Sequence, residues 1–464
     1  MTRRTDRRGH RARHIFLALA LVAAAGCGSR ADDGAETESP GLGSFTTDGE
    51  AAPSGAVPTP ESTMLGDLEN PCSGEAAEGE PPADTPGVTA DAIRIGVISD
   101  KANPTVPLPT VGIEEAVKAF VEFCNAAGGI NGRTIELVTY DSQITATDDV
   151  TKQACDDDLF ALVGSGSVQD QLGIETREAC GLPEVAAYSA TSARSESADF
   201  FQPIPGTRSH FFNVGPCQYM AELYPEAVKK AAIVYTDLPA ASVRGEQIRD
   251  NCEAEAGFEF LVDVALPFGE TNFGPLISQM KSEGIEYFTA VSASSETLSL
   301  MREMETQGVE LEVIDLGQQY YDPAVAEEAV SEGAYVLTNT VPFAETDITP
   351  MLGLYRRYLE EVGAGDDKVS TLGVQAFSAG FLWATAAASL GGDVTRESLV
   401  AALEGIHEWD GGGLQMATDP GAGTHNECFL YLRVTDGEFA REFPDEGFEC
   451  DPAGVVESEQ AYEG

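Results

Sequence analysis

The chain has 464 residues and a formal net charge of −50, from 27 Lys and Arg against 77 Asp and Glu. This acidic balance excludes nucleic acid as a natural partner, because phosphate binding needs clustered Lys and Arg, and it disfavours anionic lipid headgroups for the same reason. The length allows two or more domains. We interpret the acidic side chains as a surface that keeps the protein soluble, not as a binding site.

Residues 1–26 have the pattern of a secretory signal peptide. Six arginines lie among the first 13 residues, an apolar run follows from Ile15 to Ala25, and small residues precede Cys27. This ending resembles the lipobox of bacterial lipoproteins, which implies that Cys27 is lipidated and becomes the mature N-terminus. An uncleaved anchor helix is disfavoured, because the run is short against a hydrocarbon core of about 30 Å. We expect an exported protein held by lipid on the extracytoplasmic face of the cell membrane.

Residues 27–91 are rich in Gly, Ala, Pro, Ser, Thr, Asp and Glu and poor in aromatic and branched apolar residues. A segment of this composition cannot bury enough apolar surface to fold alone. The sequence therefore predicts a disordered linker between the lipid and the folded body.

From Ala92, predicted strands alternate with predicted helices. The first series has strands at 93–98, 134–140, 159–163 and 183–187, with helices at 113–124, 147–155 and 169–179. The second series has helices at 217–230, 240–256, 273–283 and 296–307, with strands at 231–235, 258–266, 285–291, 311–316 and 333–337. This alternation predicts an α/β fold with parallel sheets that helices cover on both faces.

Three further helices and a hairpin are predicted near the C-terminus. The helices lie at 350–362, 372–390 and 396–403, and the second of them is apolar nearly all round, which is typical of a buried packing helix. Alternating residues at 428–434 and 438–443 flank a turn at Asp436-Gly437 and predict a hairpin.

Nine cysteines are present, and eight remain if Cys27 carries lipid. An even number in an exported chain favours disulfides, and the lack of C-x-x-C spacing disfavours zinc and thioredoxin-like redox sites. Eight cysteines allow 105 pairings. The order of the predicted elements favours one set: Cys155–Cys180, Cys217–Cys252, Cys428–Cys450 and, by remainder, Cys72–Cys124.

Four short motifs resemble those of type I periplasmic binding proteins, in the branched-chain amino acid and amide-binding group of ABC transporters. They are Ile95-Gly96-Val97-Ile98, the Asn-Ala-Ala-Gly-Gly-Ile-Asn-Gly-Arg run over 125–133, Ala-Leu-Val-Gly-Ser over 161–165, and Ala-Phe-Ser-Ala-Gly over 376–380. The resemblance covers roughly residues 92–443. The run over 125–133 is its most specific part.

The resemblance implies two Rossmann-like lobes with parallel sheets, joined by a three-strand hinge. Lobe 1 would hold residues 92–213 and 341–411, and lobe 2 would hold 214–340 and 412–450, leaving 451–464 as a C-terminal tail. The ligand would lie between the lobes, at the carboxyl ends of the strands, where open α/β sheets bind ligands.

The resemblance also implies ligand contacts in lobe 1. The loop after the third strand contains Ser165 and Ser167 and would bind a ligand carboxylate, which agrees with the unpaired N–H groups and positive dipole end of a helix N-terminus. Ser189 and Thr191 would supply the second contact. For all four hydroxyls the alternative is an ordinary helix cap or a Ser/Thr turn.

Lobe 2 departs from the family pattern. The acidic residue that would bind an α-ammonium group falls at Gln318-Gln319, and neutral amides compensate a buried ammonium poorly. Ser292 is a further candidate for the cleft, Tyr320 could supply a stacking surface, and Asp237 or Asp315 could replace the missing charge.

These inferences predict a lipid-anchored solute-binding protein of an ABC importer, acting as a monomer without a metal or cofactor. It would capture a small polar molecule (a branched-chain amino acid, an amide or similar) by hinge closure and deliver it to a permease. The alternative is a ligand-sensing component of a signalling system. An extracellular enzyme is disfavoured, since the chain lacks H-E-x-x-H, G-x-S-x-G and P-loop motifs.

Overall fold

The computed structural model describes residues 56–72, 85–101, 110–365 and 368–462. The predicted signal peptide and Cys27 lie outside the described residues. Within them, no helix has the length and apolar character needed to cross a membrane.

Residues 56–72 fold against lobe 1, so the prediction of a disordered linker is wrong for this part of 27–91. They form a small antiparallel hairpin of β1 (Met64–Leu65) and β2 (Leu68–Glu69). Leu65 is fully buried, and Cys72 forms a disulfide with Cys124 of the first long helix. One buried leucine and one covalent bond hold a segment whose composition alone does not predict folding.

The first sheet is parallel throughout, in the order β4-β3-β5-β6-β7. Its strands are β3 (Ala92–Ser99), β4 (Thr134–Asp141), β5 (Ala161–Val163), β6 (Glu184–Val185) and β7 (Phe200–Phe201). The intervening helices are α1 (Val111–Ala127), α2 (Thr147–Asp156), α3 (Ile174–Ala179) and α4 (Ser192–Ser195). Alternate residues of β3 point to opposite faces, so that Ile95 packs in the core with α1 and Ile98 packs in the core with α2.

The second sheet has the order β10-β9-β11-β12-β13-β14-β15, and its first five strands are parallel. A short strand, β8 (Phe211–Asn213), precedes it along the chain, and its own strands are β9 (Ala231–Thr236), β10 (Phe260–Leu266), β11 (Tyr287–Val291), β12 (Val313–Leu316) and β13 (Tyr335–Thr338). The intervening helices are α5 (Gly215–Leu223), α6 (Pro239–Ala256), α7 (Gly274–Glu283), α8 (Ser294–Gln307) and α9 (Pro323–Ala326).

The chain then returns to lobe 1 before it completes lobe 2. Helices α10 (Pro350–Glu361), α11 (Thr371–Ser389) and α12 (Arg396–Glu404) follow β13, and α11 packs on α1, β5 and β6. The hairpin of β14 (Cys428–Thr435) and β15 (Glu438–Phe443) then joins the second sheet antiparallel to β13. The predicted α/β class with two parallel sheets is confirmed, while the predicted lobe boundaries remain predictions.

Three chain segments cross between the lobes and are hydrogen-bonded to one another. Val341 N donates to Leu414 O at 3.0 Å, next to an isolated antiparallel bridge between Thr340 and Gln415. The Thr418 hydroxyl donates to Pro203 O of the first crossing at 2.7 Å. The three crossings therefore form one connected unit between the two sheets.

Residues 451–462 are part of the fold, which corrects the prediction of a C-terminal tail. After β16 (Glu449–Cys450) on β14, strand β17 (Val455–Glu457) pairs antiparallel with β8. Tyr462 is buried, its carbonyl accepts from the Ser192 hydroxyl of lobe 1, and its own hydroxyl donates to Asp250 of α6 in lobe 2. Strand pairing and a buried aromatic ring fix this segment, and its acidic composition indicates neither.

Two predicted helices are shorter than expected. The helix predicted over 217–230 ends at Leu223, because Pro225 disfavours the helical conformation at Tyr224 and lacks an N–H, and a 3-10 turn follows at Ala227–Lys230. The helix predicted over 169–179 begins as a 3-10 turn at Asp170–Gly173. The predicted buried helix is confirmed, since α11 is buried along almost its whole length.

The structure contains four disulfides, and they are the four pairs favoured by the order of elements: Cys72–Cys124, Cys155–Cys180, Cys217–Cys252 and Cys428–Cys450. Each pair ties together neighbouring elements within one lobe or fixes a terminal segment. Among the described residues, no cluster of His, Cys, Asp and Glu that could hold a metal ion is found.

Gly380 of α11 lies directly beneath the ring of Phe120, and a Cβ at this position would come within 2.5 Å of that ring. Phe120 cannot move freely, since it packs edge-on to Phe381 at 5.2 Å. We therefore expect Gly380→Ala to destabilise the protein by about 1–3 kcal/mol, because the steric cost exceeds the stabilisation that alanine brings through its higher helix propensity. The measurement is thermal unfolding, with Gly274→Ala as the matched control.

Gly274 is the first residue of α7, and a Cβ there would meet nothing closer than 3.7 Å. Gly274→Ala should therefore leave the melting temperature unchanged or raise it. Equal behaviour of the two variants would contradict the packing argument.

Candidate functional site

A cavity of about 360 Å³ lies between the two lobes. This volume is within the range of about 300–1,000 Å³ typical of small-molecule pockets. Lobe 1 contributes residues that follow β6 and β7, together with the first turn of α11. Lobe 2 contributes the carboxyl ends of its parallel strands. The principal lobe 1 residues are Tyr188, Ser189, Gln202, Leu372 and Gln375.

The cavity continues into lobe 2, between the sheet and the layer formed by α5 and α6. Its wall there is aromatic, and the rings of Phe258 and Tyr287 meet edge-on at 5.1 Å. Phe260 stacks on Phe258 with ring centroids 5.6 Å apart. Together with Ile248 and Cys252 of α6, these three residues form what we call the lower pocket. Its surface suits a hydrocarbon group, because burial of apolar area is the main source of binding free energy there.

One face of α6 forms the helical wall of this space. Ala241, Arg244, Ile248 and Cys252 all line the cavity, and their spacing of three or four residues places them on one stripe of the helix. The Cys217–Cys252 disulfide fixes the lower end of this stripe to α5. The helix therefore presents one cation, Arg244, in an otherwise apolar stripe.

Arg244 has no carboxylate within ion-pair distance among the described residues. Its Nη1 donates to Oε1 of Gln247 at 2.7 Å, and its guanidinium lies 4.9 Å from the centroid of the Phe212 ring. Gln247 is itself held by the backbone, since its Nε2 donates to Arg208 O at 3.0 Å. Burial lowers the pKa of Arg244 to about 10, which reflects the cost of desolvating an unpaired cation.

Asp315, at the carboxyl end of β12, is the one acidic residue that lines the cavity among the described residues. The hydroxyls of Tyr287 and Tyr431 both donate to its Oδ2, the latter at 3.2 Å. Burial raises the pKa of Asp315 to about 7, against the effect of these two hydrogen bonds. A carboxyl group in this position is partly protonated near neutral pH.

The charge of the cavity wall is opposite to that of the chain. The described cavity-lining residues include two arginines, Arg208 and Arg244, and one histidine, His425, against the single Asp315. Arg208 donates to the carbonyl oxygens of Ser195 and Gly423, and His425 lies 3.4 Å from Glu427. Arg244 is therefore the cation of this group that lacks both a carboxylate and a backbone carbonyl as partner.

A hydrogen bond joins the two lobes at the cavity. Nε2 of Gln375, in α11 of lobe 1, donates to Oε1 of Gln318 in lobe 2 at 3.0 Å. Both amides line the cavity. The described geometry therefore has the lobes in direct contact across the site.

The structure brings three of the predicted site residues to the cavity: Ser189, Ser292 and Gln318. The Ser189 hydroxyl donates to Gln202 Oε1 at 3.4 Å, and the Ser292 hydroxyl is 2.6 Å from that of Thr297. Their contact with a ligand remains a prediction.

The other four predicted site residues are buried and do not line the cavity. The Ser165 hydroxyl accepts from Ile98 N at 3.0 Å, which ties the β5 loop to β3. Thr191 caps α4 and donates to Asp170, as the alternative helix-cap reading proposed. Tyr320 is fully buried and its hydroxyl lies 2.7 Å from that of Thr297, so its ring offers no surface to the cavity. Ser167, in the same loop after β5 as Ser165, is also buried.

Of the two carboxylates considered for lobe 2, Asp315 lines the cavity and Asp237 is exposed outside it. Arg244, Gln375 and the lower pocket line the cavity without having been predicted from the sequence. The stripe of α6 was present as a signal, because a helix that follows a strand's carboxyl end has its first turns at the ligand edge of the sheet. The lower pocket as a whole gave no such signal, since Phe258 precedes β10 and Phe260 begins it, whereas Tyr287 lies on β11.

The raised pKa of Asp315 predicts that the difference in stability between the wild-type protein and Asp315→Asn depends on pH. In the folded state this carboxyl binds its proton up to about pH 7, whereas in the unfolded chain it loses it near pH 3.9. The wild-type protein therefore loses stability from this group as pH rises between these values, and Asp315→Asn does not. We expect the melting temperature of Asp315→Asn, relative to wild type, to rise from pH 4 to 7 and then level off.

Asp237→Asn is the matched control, because Asp237 is exposed and should give a nearly constant difference over the same range. The two groups that face Asp315, Tyr287 and Tyr431, have pKa values raised well above 10 by burial and stay neutral throughout. A flat or falling difference for Asp315→Asn would contradict the assignment.

Comparison with solved structures identifies the same architecture in several proteins. The branched-chain amino acid transporter substrate-binding protein of Streptococcus pneumoniae, solved with isoleucine, is 18% identical, with a TM-score of 0.63 over 79% of this chain and 100% of that one. An ABC transporter solute-binding protein of R. palustris, solved with 4-hydroxybenzoate, is 18% identical, with a TM-score of 0.65 over 78% and 98%. A fatty acid ABC transporter substrate-binding protein of Thermomonospora curvata is 17% identical, with a TM-score of 0.64 over 84% and 95%.

At this level of identity the likeness shows a shared fold, and the bound molecules belong to those proteins. No curated protein sequence gives a significant match. The family model described as Periplasmic binding protein matches residues 92–438, which span both sheets, the crossing segments and the cavity. The chain therefore belongs to the periplasmic binding protein family, with the type I two-lobe architecture that its motifs predict.

Proposed function

We propose that the protein is the extracytoplasmic solute-binding component of an ABC importer. It captures a small molecule in the cavity between its lobes and delivers it to a permease. The observation that carries this proposal is a cavity walled by both lobes, with the Gln375–Gln318 hydrogen bond spanning it. The family match and the transporter proteins that share the fold support the same role.

Capture proceeds by movement of the lobes about the three crossing segments. A ligand that contacts Gln375 and Ser189 on one side and Ser292 and Gln318 on the other stabilises the closed arrangement, since it gains contacts with the second wall only when the lobes meet. The closed form is then the species that the permease recognises.

Ligand binding in the cavity predicts that a bulky side chain on its wall blocks it. The purified protein is screened by thermal unfolding against branched-chain amino acids, amides, aromatic acids and fatty acids, and at least one compound should raise the melting temperature by mass action. Ala241→Phe fills part of the cavity and should abolish that shift. A matched control is Ala254→Phe, which adds the same ring to the same helix at an exposed position.

A shift that survives in Ala241→Phe would mean that the compound binds elsewhere. A screen in which no compound stabilises the wild-type protein would contradict solute capture. Loss of the shift in Ala254→Phe as well would indicate damage to α6 and not a blocked cavity.

We also propose that the protein is a lipoprotein anchored through Cys27. The basic start, the apolar run and the small residues before this cysteine support the assignment. Cys27→Ser should lose incorporation of labelled palmitate and pass from the membrane fraction to the soluble fraction. Ser29→Ala, two residues away, should keep both properties, and label or membrane retention in Cys27→Ser would contradict lipidation there.

A further inference from the structure

Arg244 is the feature of the cavity that the fold itself does not explain. Arg244 is half-buried, and withdrawing a guanidinium from water without a carboxylate partner costs free energy. Here the one hydrogen bond of its side chain goes to the neutral amide of Gln247. Its Nε and Nη2 have no hydrogen-bond partner among the described residues, and the residue lines the cavity.

The guanidinium donors that remain are the ones that recognise planar anions. Arginine presents its N–H groups in a rigid fork that matches the two oxygens of a carboxylate. Gln247 holds Nη1 in place, and the Phe212 ring lies 4.9 Å from the guanidinium. The fork is therefore oriented before any ligand arrives, which reduces the entropy lost on binding.

The surface next to Arg244 is apolar. One turn further along the same stripe of α6 lies Ile248, followed by Cys252, and the aromatic residues Phe258, Phe260 and Tyr287 complete the lower pocket. A molecule held at Arg244 by an acidic group would extend its hydrocarbon part into this space. The polar amides Gln318 and Gln375 lie elsewhere on the wall, at the junction of the lobes.

The charge inventory of the wall favours an anion over a zwitterion. The only described carboxyl group there is Asp315, and two tyrosine hydroxyls already donate to one of its oxygens. An ammonium group would need an ionised, accessible carboxylate to offset its desolvation. The acidic surface of the chain, by contrast, repels free anions, so selection of an anion has to come from the cavity itself.

We propose that the ligand of this site is an organic acid with an apolar body, that its carboxylate pairs with Arg244 of lobe 2, and that its hydrocarbon part fills the lower pocket. This inference rests on the proposed function, because it names the chemical class of the solute captured in the same cavity. It assigns the anion contact to lobe 2, whereas the sequence motifs place it in the Ser165 loop of lobe 1.

The test compares acids with their neutral amides by isothermal titration calorimetry on the purified protein. The probes are 3-phenylpropanoate and octanoate, 3-phenylpropanamide and octanamide, and phenylalanine, which has the skeleton of 3-phenylpropanoate with an added ammonium group. At least one acid should bind more tightly than its amide, by about tenfold or more, because the neutral amide cannot form the charge-assisted hydrogen bonds that a carboxylate forms with a guanidinium. If the acid that binds is 3-phenylpropanoate, it should also bind more tightly than phenylalanine.

Substitution of Arg244 assigns the contact. Arg244→Gln should weaken binding of the acid about tenfold or more and leave the affinity for the amide unchanged. Arg244→Lys should bind the acid with an affinity between those of wild type and Arg244→Gln, because lysine keeps the charge and loses the fork. The control is Arg302→Gln, also in lobe 2, where the arginine is 46% exposed and paired with Glu328. It should change neither affinity.

Equal affinity for an acid and its amide in the wild-type protein overturns the inference without recourse to any variant. Tighter binding of phenylalanine overturns it in favour of a zwitterion paired with Asp315. Failure of both acids to bind overturns it too. In each case a neutral or zwitterionic ligand whose binding Ala241→Phe abolishes leaves the proposed function standing, so the two failures are distinguishable.

Discussion

A parallel sheet is stable only when helices cover both of its faces, and this constraint shapes both lobes. In lobe 1, α1 and α11 pack on one face of the sheet and α2 packs on the other, and Gly380 lets the ring of Phe120 approach the backbone of α11. In lobe 2 the cavity extends between the sheet and the layer of α5 and α6. The cavity therefore lies at the carboxyl ends of the lobe 2 strands, on the side that faces the first lobe.

The composition of that wall differs from the rest of the molecule. A chain with 77 acidic residues leaves one of them, Asp315, on the described cavity wall and places Arg244 there without an acidic partner. Aromatic rings and the Cys217–Cys252 disulfide hold the surrounding surface in place. The cavity wall thus carries a charge opposite in sign to that of the chain as a whole, as the proposed capture of an anion requires.

Elements defined by local patterns could be predicted from the sequence. The alternation of strands and helices and the buried character of α11 follow from periodicity, and three disulfide pairs, each between cysteines consecutive in the chain, follow from the order of elements. The hairpin at 64–69 and strand β17 could not, because each is fixed by a contact distant in sequence: Cys72 with Cys124, and Val455 with Asn213. The site was predicted only in part, because some of its residues also come together through contacts distant in sequence. Ser189, Ser292 and Gln318 follow strand ends, whereas the lower pocket forms only where Phe258 and Phe260, just before and at the start of β10, meet Tyr287 of β11.

The most direct measurement of the account is a crystal structure of the protein with 3-phenylpropanoate or octanoate, whichever binds more tightly. The proposed ligand site predicts electron density for the acid in the cavity. Both carboxylate oxygens should lie within hydrogen-bond distance of Arg244, and the hydrocarbon part should lie against Phe258 and Tyr287. Density for the carboxylate at the Ser165 loop, or for the acid outside the cavity, would contradict it.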